Sequence, residues 1–487
     1  MCHALKKASC AKSTAWTILS EPLRKPPRTS AVTSRTITVS LFLTRRFFYL
    51  CAALIAGFVV AFFLPWLLGP MEILLGAAGL LTLLDAALLY APTKGSPTPL
   101  FGRRVLGDKL SNGDDNEVKL FLESRYRFGI QMEVIDEIPH QFQRRDVLFE
   151  ASIAPGQTQV ITYQLRPTKR GEYEFGALNV YAASPLRLVR RRFRCEEGGR
   201  VVPVYPSFLQ MRQYELLAIH NRLTEVGVKR IRRVGQSMEF EQIRPYAGGD
   251  DPRTINWKAS ARRAGGGSDT LVVNHFQDER AQQVYCLIDK GRVMRMPFEG
   301  LSLLDYAINA TLVMSNIALI KHDKAGLITF ANKPGATVAA ERRPGHLRTI
   351  LEVLYRQKTQ YLETDYERLY ATVRAKIKQR SLLILFTNFE TLQGMERQLP
   401  YLRALSKAHL LLVVFFENTE LRTFLDAPAD TTADVYNQTI AEKFQQEKRQ
   451  IVLELQRYGI QALLTPPQLL TVNTINKYLE FKARGLI

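Results

Sequence analysis

HLLLVVFF, residues 409–416, is eight residues long, apolar on both alternating faces, and closes on Val-Val-Phe-Phe. A half-exposed strand would alternate with polar residues and a core helix would run longer. The run therefore reads as a strand covered on both sides, as in a parallel sheet packed between helices. Working outward, SLLILF (381–386), AGLITF (325–330) and VYCLI (284–288) have the same character. Helical periodicity covers 301–321, 346–358, 363–380, 395–407, 438–458 and 471–484. Strand and helix alternate, so 281–487 is expected to form an α/β domain with a mostly parallel sheet and helices on both faces. Ligands of such sheets bind at the carboxyl ends of the strands, which makes Asp289 and Thr387-Asn388 the candidate crevice.

Upstream the period changes. Between 100 and 205, short alternating segments such as EVKLFLES, QVITYQLRP, GEYEFGALNVYA and RVVPVYP recur about every ten residues, with turns at Asn112-Gly113, Pro155-Gly156 and Arg170-Gly171. This spacing predicts a β-sandwich. Arg187, Arg190, Arg191, Arg192 and Arg194 crowd its far end without interleaved stacking aromatics, so they read as a solvated strand face rather than a nucleic-acid groove. Residues 206–280 connect the two domains.

The run FFYLCAALIAGFVVAFFLPWLLG (47–69) carries no charge and is long enough to cross a hydrocarbon core of roughly 30 Å. A second apolar run fills 71–90, so 47–90 is expected to be a transmembrane hairpin broken at Gly69-Pro70. Arg45 and Arg46 precede it, Lys94, Arg103 and Arg104 follow it, and the connecting loop has neither Lys nor Arg. By the positive-inside rule both ends, and the folded domains with them, face the cytoplasm from the inner membrane. Asp85, inside the second run, is expected at the interface or facing the partner helix. Residues 1–46 hold nine basic residues against Glu21 alone, with no sustained apolar period, and read as a disordered tail resting on anionic lipid.

Of the 487 residues, 66 are Lys or Arg and 46 are Asp or Glu, a net charge of +20 that favours anionic partners. The five cysteines form no Cys-x-x-Cys pair and the seven histidines no His-Glu-x-x-His, which sets aside a zinc ribbon and a zincin. No Gly-x-x-x-x-Gly-Lys-[Ser/Thr] loop exists, so nucleotide hydrolysis is not expected of this chain. A Gly-x-Ser-x-Gly elbow is also absent.

Between the two domains lies GQSMEFEQIRPYAGGDDPRTINWKASARR, residues 235–263. Gly248-Gly249 permits positive φ, Asp250 and Asp251 can accept backbone N–H groups, and Arg253 can pair with a carboxylate; Phe240, Ile255 and Trp257 are expected to bury. This segment resembles the hallmark of the bacterial domain-of-unknown-function 58 family through Glu239, Phe240, Ile243, Arg244, Tyr246, Gly249, Asp250, Asp251, Arg253, Ile255, Trp257 and Lys258. The likeness extends to the layout from 45 to 487. It implies a von Willebrand factor type A-like C-terminal domain and a MoxR-type AAA+ ATPase as partner.

Type A domains often hold a divalent ion through Asp-x-Ser-x-Ser, a Thr and a second Asp. The matching positions here are Asp289, with Gly291 and Val293 in place of the serines, then Thr364 and Asn388. One carboxylate beside Lys290 and Arg292 disfavours Mg²⁺, and Asp289 is expected to pair with a neighbouring cation instead. The expected function is that of a non-enzymatic, membrane-anchored adaptor with no cofactor. The rivals are a metal-dependent hydrolase using Asp250, Asp251 or Asp289, and a basic nucleic-acid or lipid binder, of which nucleic acid is the less favoured ligand.

Overall fold

The computed structural model describes residues 41–90, 99–144, 147–219, 239–247, 250, 252–263, 271–277, 281–425, 428 and 431–486. Strand β1 (Leu41–Leu43) leads into helix α1 (Arg45–Phe63), a 3-10 turn (Pro65–Leu67) and helix α2 (Leu68–Tyr90). The hairpin turns at Leu64–Leu67, not at Gly69-Pro70. Pro70 falls in the first turn of α2, where its missing N–H has no helical acceptor to lose. Both helices are long and apolar enough to cross a membrane, and Phe62, Trp66 and Ile73 point outward from them. The tail is ordered from Leu41 onward, because β1 pairs antiparallel with Val189–Arg191; residues 1–40 lie outside the described residues.

The β domain contains β2 (Leu100–Val105), β3 (Leu110–Ser111), β4 (Asn116–Ser124), β5 (Ile130–Asp136), β6 (Leu148–Ile153), β7 (Thr158–Leu165), β8 (Gly171–Phe175), β9 (Leu178–Ala183), β10 (Val189–Glu196) and β11 (Arg200–Tyr205). They form sheets ordered β1-β10-β9-β5-β6, β2-β4-β7 and β3-β11-β8. The stretch 171–182 reads as one strand but breaks at Gly176 and serves two sheets. A Cβ at Gly176 would meet Glu137 at 2.6 Å, so glycine is what lets the chain cross over. Alternation places Ile130, Met132, Val134 and Asp136 of β5 inward. Arg104, counted above among the charges flanking the hairpin, occupies an inward position of β2 and is 1% exposed.

The hairpin is fused to this domain. Asp85 is buried, accepts hydrogen bonds from the backbone N–H groups of Leu188 and Val189 at 2.9 Å each, and is bonded by the Ser184 hydroxyl. It thus satisfies the start of β10 rather than facing α1 or lying free at an interface. Leu89 sits in the β-domain core, and its carbonyl accepts from Tyr126 Oη and Arg191 Nη1, both at 2.9 Å. Arg190 bonds Glu133 at 2.5 Å and Arg192 bonds Asn179, so the arginine run is largely engaged by its own domain.

After α3 (Phe208–Ile219) come β12 (Glu239–Pro245), α4 (Trp257–Arg263) and β13 (Val272–Gln277). The α/β domain then runs β14 (Gln283–Asp289), β15 (Pro297–Phe298), β16 (Leu301–Ser302), α5 (Leu303–Ile320), β17 (Lys324–Phe330), β18 (Pro334–Glu341), α6 (His346–Tyr355), α7 (Tyr366–Lys376), β19 (Leu382–Phe386), α8 (Leu392–Ala408), β20 (Leu410–Phe416), α9 (Thr419–Leu425), α10 (Thr432–Arg457), β21 (Gln461–Thr465) and α11 (Leu470–Arg484). The sheet order is β18-β17-β14-β19-β20-β21, parallel except for β18. Val284, Cys286 and Ile288 of β14 face α5, α6 and α11, while Tyr285 and Leu287 face α7, α8 and α10. Helix α5 is also long and apolar enough to span a membrane, but it is sealed in this core.

The two folded domains interlock. Arg170 of the β domain donates to Asp305 at 2.7 Å and to the Leu354 carbonyl at 2.6 Å, and Tyr205 stacks on Tyr355 with centroids 4.4 Å apart.

Candidate functional site

β14 and β19 end side by side in the middle of the sheet, which brings Asp289 and Thr387 to its carboxyl edge. The Asp289 carboxylate is fully buried. Its Oδ1 accepts from Thr364 Oγ1 at 2.6 Å and from the Gly291 N–H at 2.8 Å, and its Oδ2 accepts from Thr387 Oγ1 at 2.7 Å. Tyr366 Oη lies 2.7 Å from that same Thr387 hydroxyl. Burial raises the Asp289 pKa, and the hydroxyl and amide donors pull it back only in part. Among the described residues no cation pairs with this carboxylate, and the compensation comes from neutral donors.

This donor set does not fit a resident divalent ion. The Thr364 oxygen, which would have to be a ligand, donates its proton to Asp289 directly. A Cβ at Gly291, where the ion-binding pattern carries its first serine, would lie 2.0 Å from Thr364 Oγ1. Among the described residues no three His, Cys, Asp or Glu side chains gather into a metal site.

Asn388, the remaining position of the pattern, turns to a different partner. Its Oδ1 accepts from Lys448 Nζ at 2.9 Å, and the same ammonium donates to the Phe416 carbonyl at 2.5 Å. Burial brings the Lys448 pKa down to about 8, with Glu390 and Glu417 opposing the shift. Lys290, beside Asp289, is likewise shifted down by burial. Lys448, in the charged run EKRQ of a long helix, carries no local signal of this role, and neither does Tyr366, which only the fold brings to Thr387.

The motif segment forms a small unit of its own. β12 and β13 pair antiparallel, and Ile255 bridges to Val273. Asp250 accepts from Arg244 Nη2 at 2.6 Å and from the Ala247 N–H at 3.0 Å, so Arg244 pairs with this carboxylate. Arg253 and Lys258 are exposed, Tyr246 is 36% exposed, and Trp257 is 67% exposed rather than buried. The helix α4 turns its Ser260 side inward, which leaves Trp257 on the outside. Gly248, Gly249, Asp251 and the side chains of Glu239 and Phe240 lie outside the described residues.

A polar cleft of about 190 Å³ lies where the two domains meet, lined among others by Asn112, Asp114, Arg166, Glu299 and Thr471. It holds none of the residues singled out from the sequence as a site.

Comparison with known proteins adds a relative and several distant folds. The chain is 24% identical over 198 residues to the uncharacterized protein YeaD of Bacillus subtilis (strain 168), covering 39% of this chain and 47% of that protein. The match thus spans about half the length of that relative. Among solved structures, the CARDB domain of a Pyrococcus furiosus protein is 15% identical, with coverage of 22% of this chain and 91% of that one and a TM-score of 0.15. Native alpha-2-macroglobulin from Escherichia coli, from domain MG7 onward, is 14% identical, covers 22% of this chain and 17% of that one, and has a TM-score of 0.19. The family model described as "Protein of unknown function DUF58" matches residues 242–450, the stretch that holds most of the motif unit and of the α/β domain, and this match supports that family for the chain.

Proposed function

We propose that the chain is a non-enzymatic adaptor anchored in the inner membrane by its hairpin, with its folded domains in the cytoplasm and a MoxR-type AAA+ ATPase as partner. One observation carries the non-enzymatic part: the only acid at the carboxyl edge that the ion pattern supplies, Asp289, has both oxygens taken by Thr364, Gly291 and Thr387 and no exposed surface. A hydrolase needs a base or a metal ligand that a substrate can reach. Asp250, the other described candidate, is tied to Arg244 and Ala247. The ATPase enters through the family resemblance, and the absence of a phosphate-binding loop from this sequence is in keeping with hydrolysis on the partner. Arg45 and Arg46 before α1, against a hairpin tip at Pro65–Leu67 without basic residues, support the orientation.

Two measurements test this. In a cysteine-free background, Trp66→Cys is expected to react with an impermeant thiol reagent added outside intact cells, and Arg103→Cys only after lysis; the reverse pattern overturns the orientation. The purified full chain in lipid nanodiscs is expected to bind purified MoxR-type ATPase from the same cells. Failure to associate in any nucleotide state, or hydrolytic activity of the chain alone that Asp289→Asn abolishes, overturns the adaptor reading.

A further inference from the structure

Two exposed surfaces of opposite charge lie on separate parts of the chain, one on the motif unit and one on the α/β domain. The first is the outer face of α4. Asn256 and Ser260 pin this short helix to β13: Ser260 Oγ donates to the Asn256 carbonyl at 2.8 Å and accepts from the Val272 N–H at 3.0 Å, and Asn256 Nδ2 donates to Asn274 Oδ1 at 2.8 Å. The roll of the helix is thereby fixed. Trp257, Lys258, Ala261 and Arg262 face solvent as an indole flanked by two cations one turn apart.

The second surface belongs to α9 and the first half of α10. At 26 residues α10 is about 39 Å long, more than twice the roughly 17 Å of the five-residue strand β21 that follows it. Its amino-terminal half therefore overhangs the carboxyl edge of the sheet. There Tyr436, Ile440 and Phe444 form an i, i+4, i+8 row beside Phe424, with exposures of 68%, 37%, 44% and 40%. The next residue in the row is Lys448, which turns inward to Asn388. Glu417, Glu420 and Glu447 border the row, against Lys443 on the same side.

Within this chain the two surfaces stay apart, Trp257 being 67% and Tyr436 68% exposed. β13 ends at Gln277 and β14 begins at Gln283, so at most about 20 Å of chain holds the motif unit to the amino edge of the sheet. The apolar row lies beyond the other edge. Large exposed aromatic patches with complementary charged rims mark protein contacts, and Trp and Tyr are the residues that most often anchor them.

We infer that copies of this chain associate head to tail, with Trp257 of one seated on the Phe424, Tyr436, Ile440 and Phe444 surface of the next and Lys258 and Arg262 facing Glu420 and Glu447. Such a contact joins two different patches, so it propagates into a ring or a row instead of stopping at a pair. It goes beyond the adaptor reading and does not depend on the ATPase.

The test uses the full chain purified in detergent. Sedimentation velocity is expected to show concentration-dependent species larger than a dimer. Trp257→Ala and Phe444→Ala, both at exposed positions, are each expected to weaken association at least tenfold without moving the unfolding temperature. Lys258→Glu with Arg262→Glu and Glu420→Lys with Glu447→Lys are expected to fail alone and to associate with each other when mixed. A monomer at every concentration, association indifferent to both aromatic variants, or no rescue on mixing overturns the inference. A monomeric chain that binds a single-stranded oligonucleotide through Trp257 would also overturn it, in favour of a nucleic-acid face.

Discussion

Replacing Arg104 by alanine is expected to destabilise the β domain by about 3–5 kcal/mol, the usual penalty for leaving one member of a buried ion pair alone. The side chains of Arg104 and Asp136 are 1% and 0% exposed. Arg104 Nε donates to Asp136 at 3.1 Å, Nη2 donates to the Gly176 carbonyl at 3.1 Å, and the guanidinium lies 5.2 Å from the centre of the Phe175 ring. Tyr163 donates its hydroxyl to the same carboxylate, and burial together with that charge raises the phenol's pKa. β2, β5 and β7 come from two different sheets, so this cluster is a polar joint between them. Without Arg104, the Asp136 carboxylate is left in an apolar core without its ion-pair partner. The triple variant Arg104→Met, Asp136→Leu, Tyr163→Phe removes the polar cluster as a whole and is expected to recover most of the loss. Hydrogen exchange of the β5 amides in the intact chain reads both effects. A single-variant loss below about 1 kcal/mol would mean that water reaches the pair.

Asp289→Ala is expected to cost about 2–4 kcal/mol, because the hydroxyls of Thr364 and Thr387 and the Gly291 N–H lose their acceptor inside the sheet. Asp289→Asn is expected to stay within about 1 kcal/mol of the parent. Its oxygen can keep Thr364 and Gly291, and its amide can donate to Thr387 once that hydroxyl turns its proton toward Tyr366. The pH dependence separates a sealed structural carboxyl from a working one. Burial raises the folded pKa above the ordinary carboxyl value, so the contribution of Asp289 to stability is fully present below the unfolded pKa and is lost as pH rises through the folded one. The asparagine variant should therefore gain on the parent as pH is raised from about 4 toward neutrality, as measured by thermal unfolding of the α/β domain. A gap that does not change with pH would show that Asp289 titrates normally.

Much of the architecture was legible because it rests on periodicity. Continuous apolar runs at 284–288, 325–330, 381–386 and 409–416 could only be strands covered on both faces, and all four lie in β14, β17, β19 and β20. What escaped was short or small: β18, with its Gly-Ala-Thr-Val-Ala-Ala sequence, and the five-residue β21 carry little apolar signal. Helix α10 begins at Thr432, ahead of its apolar period, because Thr431 and Asp434 form a reciprocal cap. Charges were the hardest to place. A sequence shows Arg104 as one more base beside a membrane span, and only strand alternation turns it inward. Trp257 misled in the opposite sense, since a large indole suggests a core and here the hydrogen bonds of Ser260 decide which side of α4 is hidden. At the carboxyl edge, Asp289, Thr364 and Thr387 could be named from their pattern. Lys448 could not, because its partner Asn388 lies sixty positions earlier in the chain.

The burial of Asp85 and Leu89 has a mechanical meaning. One face of the last two turns of α2, carrying Asp85 and Leu89, packs on the β domain, and β1, just ahead of α1, pairs with the same sheet. Arg170 and the Tyr205–Tyr355 stack then carry the connection into the α/β domain. A force on the α/β domain can thus reach the two apolar helices through packed side chains and backbone hydrogen bonds. The contacts on its two sides make the β domain a mechanical link between the apolar helices and the α/β domain.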